Sequence, residues 1–177
     1  GRRLRNNFWI RDLVAENNIS VNDLIWPIFL IEGNDKIEPI NELPGVNRYT
    51  VDKLIGIASK AFELGIKCVA LFPKTPTNLK TLNCEEAYNP ENLVNKATRL
   101  LKKKIPDLGI MLDVALDPYN SLGHDGLVKD DKILNDETLE ILIKQSLVQA
   151  ESGADILGPS DMMDGRVCLL YTSPSPR

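Results

Sequence analysis

The sequence predicts an α/β fold, laid out as about the first four units of a (β/α)8 TIM barrel with an N-terminal arm. Three observations predict it. Four nearly continuous apolar runs alternate with three helical patterns in the order β-α-β-α-β-α-β, which favours a parallel sheet. Long polar segments follow the first three strands, whereas the segments before the later strands are short. Long loops at the carboxyl ends of strands are typical of barrels, because the active site is built there.

A doubly wound nucleotide-binding sheet is the competing layout, but no GxGxxG or GxxxxGK[ST] motif follows a predicted strand. A complete barrel needs eight strands and typically about 250 residues, whereas this chain has 177 residues. We therefore expect a polar, basic N-terminal segment at 1–22 and the first half of a barrel at 23–167. The last ten residues, 168–177, resemble a translated adapter joined to a truncated reading frame. We expect this tail to be non-native, and its Pro174 and Pro176 to forbid a helix over it.

The strands are predicted from short apolar runs of the kind found in strands that are covered on both faces. These runs lie at 23–31, 67–73, 109–117 and 154–159. Pro27 in the first run suits a sheet edge or a bulge. The polar segments 32–50 and 74–89 are predicted to be loops.

The helices are predicted from their caps and apolar stripes. Thr50 is the expected cap of a helix over 51–64. Asn89 and Pro90 are expected to begin the second helix, which Pro106 ends, and Asn135 is expected to cap the third, which Gly153 stops. The expected core positions are Leu54, Ala58, Ala61, Phe62, Leu93, Val94, Ala97, Leu100, Leu101, Leu139, Leu142, Ile143, Ser146, Leu147 and Ala150.

Composition indicates a globular protein of the cytoplasm. The chain is 43% hydrophobic and 26% charged, with a net charge of −4 and a pI near 5.1, which argues against disorder and against a nucleic-acid partner. No apolar run reaches the roughly 18 residues of a membrane span, and the basic N-terminus lacks the apolar stretch of a secretory signal. Cys68, Cys84 and Cys168 show no CxxC spacing and suit free thiols in a reducing compartment.

The third predicted strand and its loop carry most of the candidate chemistry. Asp113 and Asp117 alternate onto one face of the strand with Ala115, and His124 and Asp125 follow. Clustered carboxylates repel one another, so at least one pKa should rise and leave a proton for acid–base work. The carboxylates could equally pair with a cationic substrate amine. Capping and turn duty for Asp117 and Asp125 stays open.

The other candidates are weaker. A lone histidine such as His124 is more often a loop hydrogen-bonding residue than a ligand, and the spacing does not predict zinc. Mg²⁺ could use the carboxylates. Ser160 and Asp161 follow the fourth strand, where barrels keep catalytic groups, although either could cap a helix. Met162 and Met163 are expected to pack.

Several strings resemble the porphobilinogen synthase (δ-aminolevulinic acid dehydratase) family across residues 2–167. They are RRLR, LPGVNRY, GIKCVALFP, EAYNPENL, DVALDPYNSLGHDGL and PSDMMDGRV, in that order. The resemblance implies a (β/α)8 barrel whose N-terminal arm wraps a neighbouring subunit, commonly in a homo-octamer. It also implies a lyase that condenses two molecules of 5-aminolevulinate, with loss of two waters, to porphobilinogen for tetrapyrrole and heme synthesis.

The resemblance also implies roles for single residues. Asp113 matches the aspartate near the substrate amine, and Ser160 matches the serine beside the Schiff-base site. Ala115, Asp117 and Asp125 stand where zinc-dependent members carry cysteines. This implies the aspartate-type, zinc-independent branch, often stimulated by Mg²⁺ bound in the later half. Leu122 departs from the histidine of the family's HGHDG pattern. The residues expected to support acid–base chemistry or the substrate site are Asp117, His124, Asp125 and Asp161. Residues 1–22 would form the oligomerisation arm, which contains Arg2, Arg3, Arg5 and Arg11.

The family's two imine-forming lysines and its later-half metal ligand do not match any position in 1–167, so the chain alone is expected to be inactive. Lys67, Lys74 and Lys144 are not expected to substitute, because they are predicted at a strand start, on a loop and on a helix. Two other interpretations stay open. One is a class I aldolase-type barrel, and the other is a non-catalytic oligomerisation module. The complete reading frame would discriminate them by showing whether two strand-borne lysines follow Arg166.

Overall fold

The computed structural model describes residues 2–172 as an α/β fold around a mostly parallel six-stranded sheet. The strands are β1 (Ile25–Ile31), β2 (Ile37–Pro39), β3 (Asn47–Tyr49), β4 (Cys68–Lys74), β5 (Gly109–Val114), the hairpin β6 (Val128–Lys129) and β7 (Lys132–Ile133), and β8 (Ile156–Pro159). The helices are α1 (Phe8–Leu13), α2 (Val51–Glu63), α3 (Leu93–Lys104), α4 (Asn135–Glu151) and α5 (Arg166–Thr172). The sheet order is β2-β3-β1-β4-β5-β8, and the four strands predicted from sequence pair in parallel.

The segment predicted as a loop at 32–50 contains two short strands. β3 pairs in parallel with β1 at Phe29↔Arg48 and Leu30↔Tyr49, and β2 pairs antiparallel with β3. Three-residue strands among polar residues leave no periodic signal, which is why the sequence did not predict them. They bring Arg48 to the end of β1.

The third strand is shorter than predicted. It ends at Val114 rather than at 117, because the carbonyl of Leu116 accepts hydrogen bonds from the amides of Tyr119 and Asn120 at 2.9 and 2.8 Å and closes a turn. Asp117 therefore lies in the turn that follows β5.

Thr50 is the N-cap residue of α2 as predicted, but the side-chain hydrogen bonds differ from the prediction at all three expected caps. The Thr50 hydroxyl bonds the backbone of Lys36 instead of the helix amides. The second helix begins at Leu93, three residues after the predicted proline, and its cap is Asn92, which accepts from the amide of Asn95 at 2.9 Å. Asn135 is the first residue of α4, and its amide group bonds the backbone of Asp164 at 3.1 and 2.8 Å. In the first and third cases the side chain found a tertiary partner.

All three long helices pack on one face of the sheet. Alternate strand residues form its core with α2 and α3, and the core continues under α4 through Val114, Leu139 and Leu142. Ile28, Leu30, Val69, Leu71, Ile110 and Leu112 are each at most 1% exposed. Fully burying such a side chain contributes roughly 1.5–3 kcal/mol. A doubly wound sheet would have helices on both faces, so the described helices favour the barrel-like layout.

The C-terminal helix departs from the expectation for the tail. α5 runs to Thr172 and so includes the first five residues of the segment expected to be non-native. A helix can end before the residue that precedes a proline, and Pro174 and Pro176 lie outside the described residues. Leu170 packs beside the core under α4.

The N-terminal segment does not contribute to this core. Residues 2–25 are exposed except for Ile10, which is half-buried. The exposed fractions of Phe8 and Trp9 on α1 are 79% and 65%. Within residues 2–172, every helix is too short or too polar to cross a lipid bilayer.

Candidate active site

Two adjoining cavities, of about 330 and 250 Å³, open at the carboxyl ends of the parallel strands on the face without helices. Phe72 and Asp113 line both. The larger cavity is completed by Phe29, Arg48, Lys74, Lys80 and Asp117, and the smaller by Ala70, Met111, Gly158 and Ser160. The strands therefore present acidic, basic and aromatic groups at one place.

Asp113 and Ser160 meet between the two cavities. Their strands β5 and β8 are neighbours, with Asp113 opposite Gly158 in the register. The Ser160 hydroxyl donates a hydrogen bond of 2.5 Å to Oδ1 of Asp113. A side chain at Gly158 would have its Cβ 2.5 Å from the Cε of Met111, so glycine keeps this corner open. Asp113 and Ser160, for which the family resemblance implies roles beside the substrate amine and the Schiff-base site, are thus in direct contact.

The pKa values of Asp113 and Asp117 are both raised. For Asp113 the main cause is burial; the Ser160 hydrogen bond opposes it, and the charges of Asp125 and Asp161 add to it. For Asp117 the main cause is partial desolvation, although its side chain reaches solvent, and the charges of Asp113 and Asp125 add to it. The predicted rise is confirmed, but lost hydration outweighs the like-charge repulsion that predicted it.

His124 and Asp125 act differently from each other. Nδ1 of His124 accepts a hydrogen bond of 2.9 Å from the amide of Gly126, so the ring shapes its own loop. Asp125 is half-buried, and its charge reaches both Asp113 and Asp117.

Asp161 lies behind the site rather than in it. Its side chain is buried, accepts from the amide of Met163 at 2.7 Å, and lies 3.3 Å from Nε of Arg166. Neither Ser160 nor Asp161 caps a helix, because α5 begins only at Arg166. Of the two methionines expected to pack, Met163 is buried, but Met162 is exposed.

The sequence missed the basic side of the site. Lys74 is the last residue of β4 and not part of a loop, which corrects its predicted position. Oε1 of Glu38 accepts from both Lys74 Nζ at 2.7 Å and Arg48 Nη1 at 2.9 Å. An amine nucleophile is activated by burial or a neighbouring cation, and this lysine has a carboxylate beside it. Arg48 and Lys74 lie on β3 and β4, the strands that pair with β1. That pairing is decided by the tertiary structure, so the sequence did not bring the two residues together.

The donor atoms of residues 2–172 do not form a metal site: no three His, Cys, Asp or Glu side chains there are arranged to hold one ion. Asp113, Asp117 and Asp125 interact as charges, not as ligands converging on one point. The three cysteines are unpaired thiols.

The chain is similar to known proteins over nearly its whole length. A model of the family "Delta-aminolevulinic acid dehydratase" matches residues 1–172. The δ-aminolevulinic acid dehydratase of Bradyrhizobium diazoefficiens is 53% identical over 96% of this chain and 48% of its own length. The enzyme of Rhodobacter capsulatus is 48% identical over 94% of this chain and 50% of its own length.

The same similarity holds in three dimensions. The crystal structure of the Toxoplasma gondii δ-aminolevulinic acid dehydratase in complex with its reaction product porphobilinogen superposes with a TM-score of 0.90 at 43% identity, over 96% of this chain and 49% of that one. The chain thus spans about half the length of the relatives that it matches. It belongs to the δ-aminolevulinic acid dehydratase family.

Proposed function

We propose that this chain supplies the first half of the barrel of a porphobilinogen synthase, which joins two molecules of 5-aminolevulinate and releases two waters. The observation that carries the proposal is the contact between Asp113 and Ser160 at the strand ends, beside the two cavities. The family membership and the porphobilinogen bound to the Toxoplasma gondii relative support it. In a barrel, this end of the strands carries the catalytic groups.

The chemistry assigned to Asp113 is proton transfer at the substrate amine. Because Ser160 occupies Oδ1, the second carboxyl oxygen is left for substrate. A raised pKa brings a carboxyl closer to the pH at which it can both take and return a proton. Asp117 and Asp125 keep this corner negative, which favours an ammonium group.

The imine-forming lysines belong to the other half of the barrel in this proposal. Each substrate carbonyl would form an imine on one of those lysines with loss of one water, and each lysine would leave again as the carbon–nitrogen and carbon–carbon bonds between the two substrates form. Asp113 and Ser160 would exchange protons with the reacting nitrogen and oxygen atoms. The proposal assigns no metal-ion step to the described residues, because their carboxylates do not converge on one point where an ion could bind. The Mg²⁺ site implied by the resemblance is assigned to the same missing half.

We assign the exposed N-terminal segment to contacts between copies of the chain. Leu4, Phe8, Trp9 and Leu13 expose between 51% and 79% of their surface. Phe8, Trp9 and Leu13 lie on α1 and Leu4 precedes it, and exposed large apolar side chains in one short segment are typical of an interaction site. Arg2, Arg3, Arg5 and Arg11 lie in the same segment, and the Arg11 guanidinium lies 4.5 Å from the centre of the Phe8 ring. The homo-octamer remains the expected assembly.

The test uses both the complete reading frame and this chain alone. The complete enzyme should convert 5-aminolevulinate to porphobilinogen, detected as colour with an aldehyde reagent. The Asp113→Asn variant should lose on the order of 10²- to 10⁴-fold in kcat, as for other acid–base groups. Residues 1–177 alone should give no colour, and borohydride should trap no adduct. Turnover by the short chain, or a complete enzyme without activity, would contradict the proposal.

The zinc-independent branch makes a separate prediction. With Ala115, Asp117 and Asp125 in place of thiolates, this loop offers no soft ligands for zinc. The complete enzyme should keep its activity in a zinc-selective chelator, and Mg²⁺ should raise it. Activity lost to the chelator and restored by zinc alone would overturn the assignment.

A further inference from the structure

Two buried glutamines on α4 hold the end of the strand that carries Asp113. Gln145 and Gln149 are 0% and 1% exposed. The Gln149 side chain donates from Nε2 to the carbonyl of Asp113 at 2.8 Å, and Gln145 donates from Nε2 to the carbonyl of Ala115 at 3.1 Å.

The spacing of the two glutamines matches the spacing of the two carbonyls. Residues four apart on a helix are separated by about 6 Å along its axis. Carbonyls two residues apart on a strand are separated by about 6.6 Å. One face of α4 can therefore donate to the carbonyls of both Asp113 and Ala115, which point to the same side of the chain.

The sheet itself does not supply these hydrogen bonds. The pairing of β4 with β5 ends at Leu71↔Leu112. Gly109 donates to the carbonyl of Lys67, which sets the alternation of bonds along this pair. Continued in the same register, the carbonyl of Asp113 would meet the nitrogen of Pro73, which has no hydrogen. The carbonyls of Asp113 and Ala115 therefore take their donors from α4, whereas the carbonyl of Val114 between them accepts from the amide of Ser160 at 3.4 Å.

The glutamines are costly residues for a packing role alone. The Oε1 atoms of both lack a hydrogen-bond partner within residues 2–172, and burying an unpaired polar atom is unfavourable. Ser146, on the same helix, instead bonds the carbonyl of Leu142 within its own helix. A leucine would fill the same space without the unpaired oxygen, so the amide donors are what these positions provide.

We propose that Gln149, assisted by Gln145, is a positioning residue that fixes the backbone of Asp113 and so aims its carboxylate at Ser160 and at the cavities. This inference rests on the proposed function, since it names what holds that site in place. Neither glutamine lines either of the two cavities at the strand ends, so both act through the backbone that carries Asp113 and not on substrate.

The test compares variants of the complete enzyme. Gln149→Leu should lower kcat about 10- to 100-fold with a much smaller change in KM, because a small displacement of a catalytic group is enough for such a loss. Gln145→Leu should act in the same direction but less, since it holds Ala115. Ser146→Ala, on the same helix face but with no bond to β5, is the matched control and should leave kcat unchanged.

An isosteric variant separates positioning from packing. Gln149→Glu keeps the shape of the side chain but, when ionised, has no donor for the Asp113 carbonyl; when protonated it regains one. Its activity relative to wild type should therefore recover as the pH falls, whereas that of Gln149→Leu should not. Equal relative losses for the two variants at every pH would overturn the proposal. So would an unchanged kcat per folded molecule in Gln149→Leu.

A readout without turnover keeps this inference distinct from the proposed function. The carboxyl of Asp113 can be followed by ¹³C NMR during a pH titration of wild-type and Gln149→Leu proteins. Loosening the strand end admits water, so the pKa of Asp113 should fall towards its ordinary value in the variant. If the complete wild-type enzyme makes no porphobilinogen but this shift occurs, the function fails and the positioning role stands. An unshifted titration overturns the positioning role.

Discussion

The two faces of the central sheet are built from the same strands but serve different ends. On the covered face, Leu112 is fully buried against α2 and α3. One residue later Asp113 points the other way, into the cavities. Successive side chains of a strand project to opposite faces. A single strand can therefore hold the fold with one set of residues and carry chemistry with the other.

The two faces differ in whether this chain contains the elements that pack against them. The covered face is complete within this chain, because its helices are encoded between its strands. The open face presents half-buried Phe29, Phe72 and Met111, with no described helix packed over it. At the outer edge of the sheet, β8 pairs with β5 alone among the described strands. The predictions that follow test this division, from the largest effect to the smallest.

The largest effect concerns the chain in isolation. With one face open and β8 unpaired on one side, residues 1–177 should aggregate or form a molten globule, with helical far-UV signal but no cooperative melt. The other main strand at the side of the sheet, β1, is partly covered, because β3 pairs with it at Phe29 and Leu30. Circular dichroism and light scattering check it. A soluble monomer with a sharp two-state melt would show that the covered face suffices.

Separate substitutions of two neighbouring residues of β5, one on each face, test the comparison between the two faces of the sheet. In the complete enzyme, Leu112→Ala should lower the free energy of unfolding by about 2–5 kcal/mol, because it leaves a cavity in the core. It should leave kcat per folded molecule unchanged. Met111→Ala, on the open face, should lower stability much less but alter substrate affinity, since Met111 lines the smaller cavity. Denaturation curves and steady-state kinetics of both variants check this, and the opposite pattern would refute the division of labour.

The smallest effect is the contribution of Asp113 to the pH dependence of stability. The pKa of Asp113 in the folded protein is raised above its ordinary value of 3.8. Between pH 3.8 and that raised pKa, the folded protein therefore binds more protons at this group than the unfolded chain does. Stability from this group is therefore present at low pH and is lost as the pH rises through that window. Asp113→Asn, which can still accept from Ser160, should gain stability over wild type as the pH increases.

Thermal melts of the complete enzyme and of its Asp113→Asn variant across the acidic range measure this difference in stability. Asp107→Asn, an exposed residue on the turn before β5, controls for the loss of one negative charge. A difference between Asp113→Asn and wild type that is the same at every pH would show that the buried carboxyl carries no such linkage.

The sequence by itself determined the covered face. Leu54, Ala58 and Ala61 were predicted as the inner face of α2, and all three are buried. The four main strands were also predicted, although each of them begins or ends at a different residue than expected. Periodicity succeeds here because burial on one face repeats every 3.6 residues in a helix, and because buried strands are continuous apolar runs. Asp113 was singled out as a carboxylate inside an apolar strand, and Ser160 from its place directly after a strand.

Only the tertiary structure decided which polar groups meet. Arg48 reaches the cavity because β3 pairs with β1, and Asn135 leaves its capping role because Asp164 lies within its reach. Gln149 reads in the sequence as one more polar helix residue, yet it bonds the backbone of Asp113 across 36 positions of the chain. Local patterns record the preferences of a residue for its neighbours in sequence. A hydrogen bond between distant residues depends on the register and packing of whole elements, and those are fixed only when the chain folds.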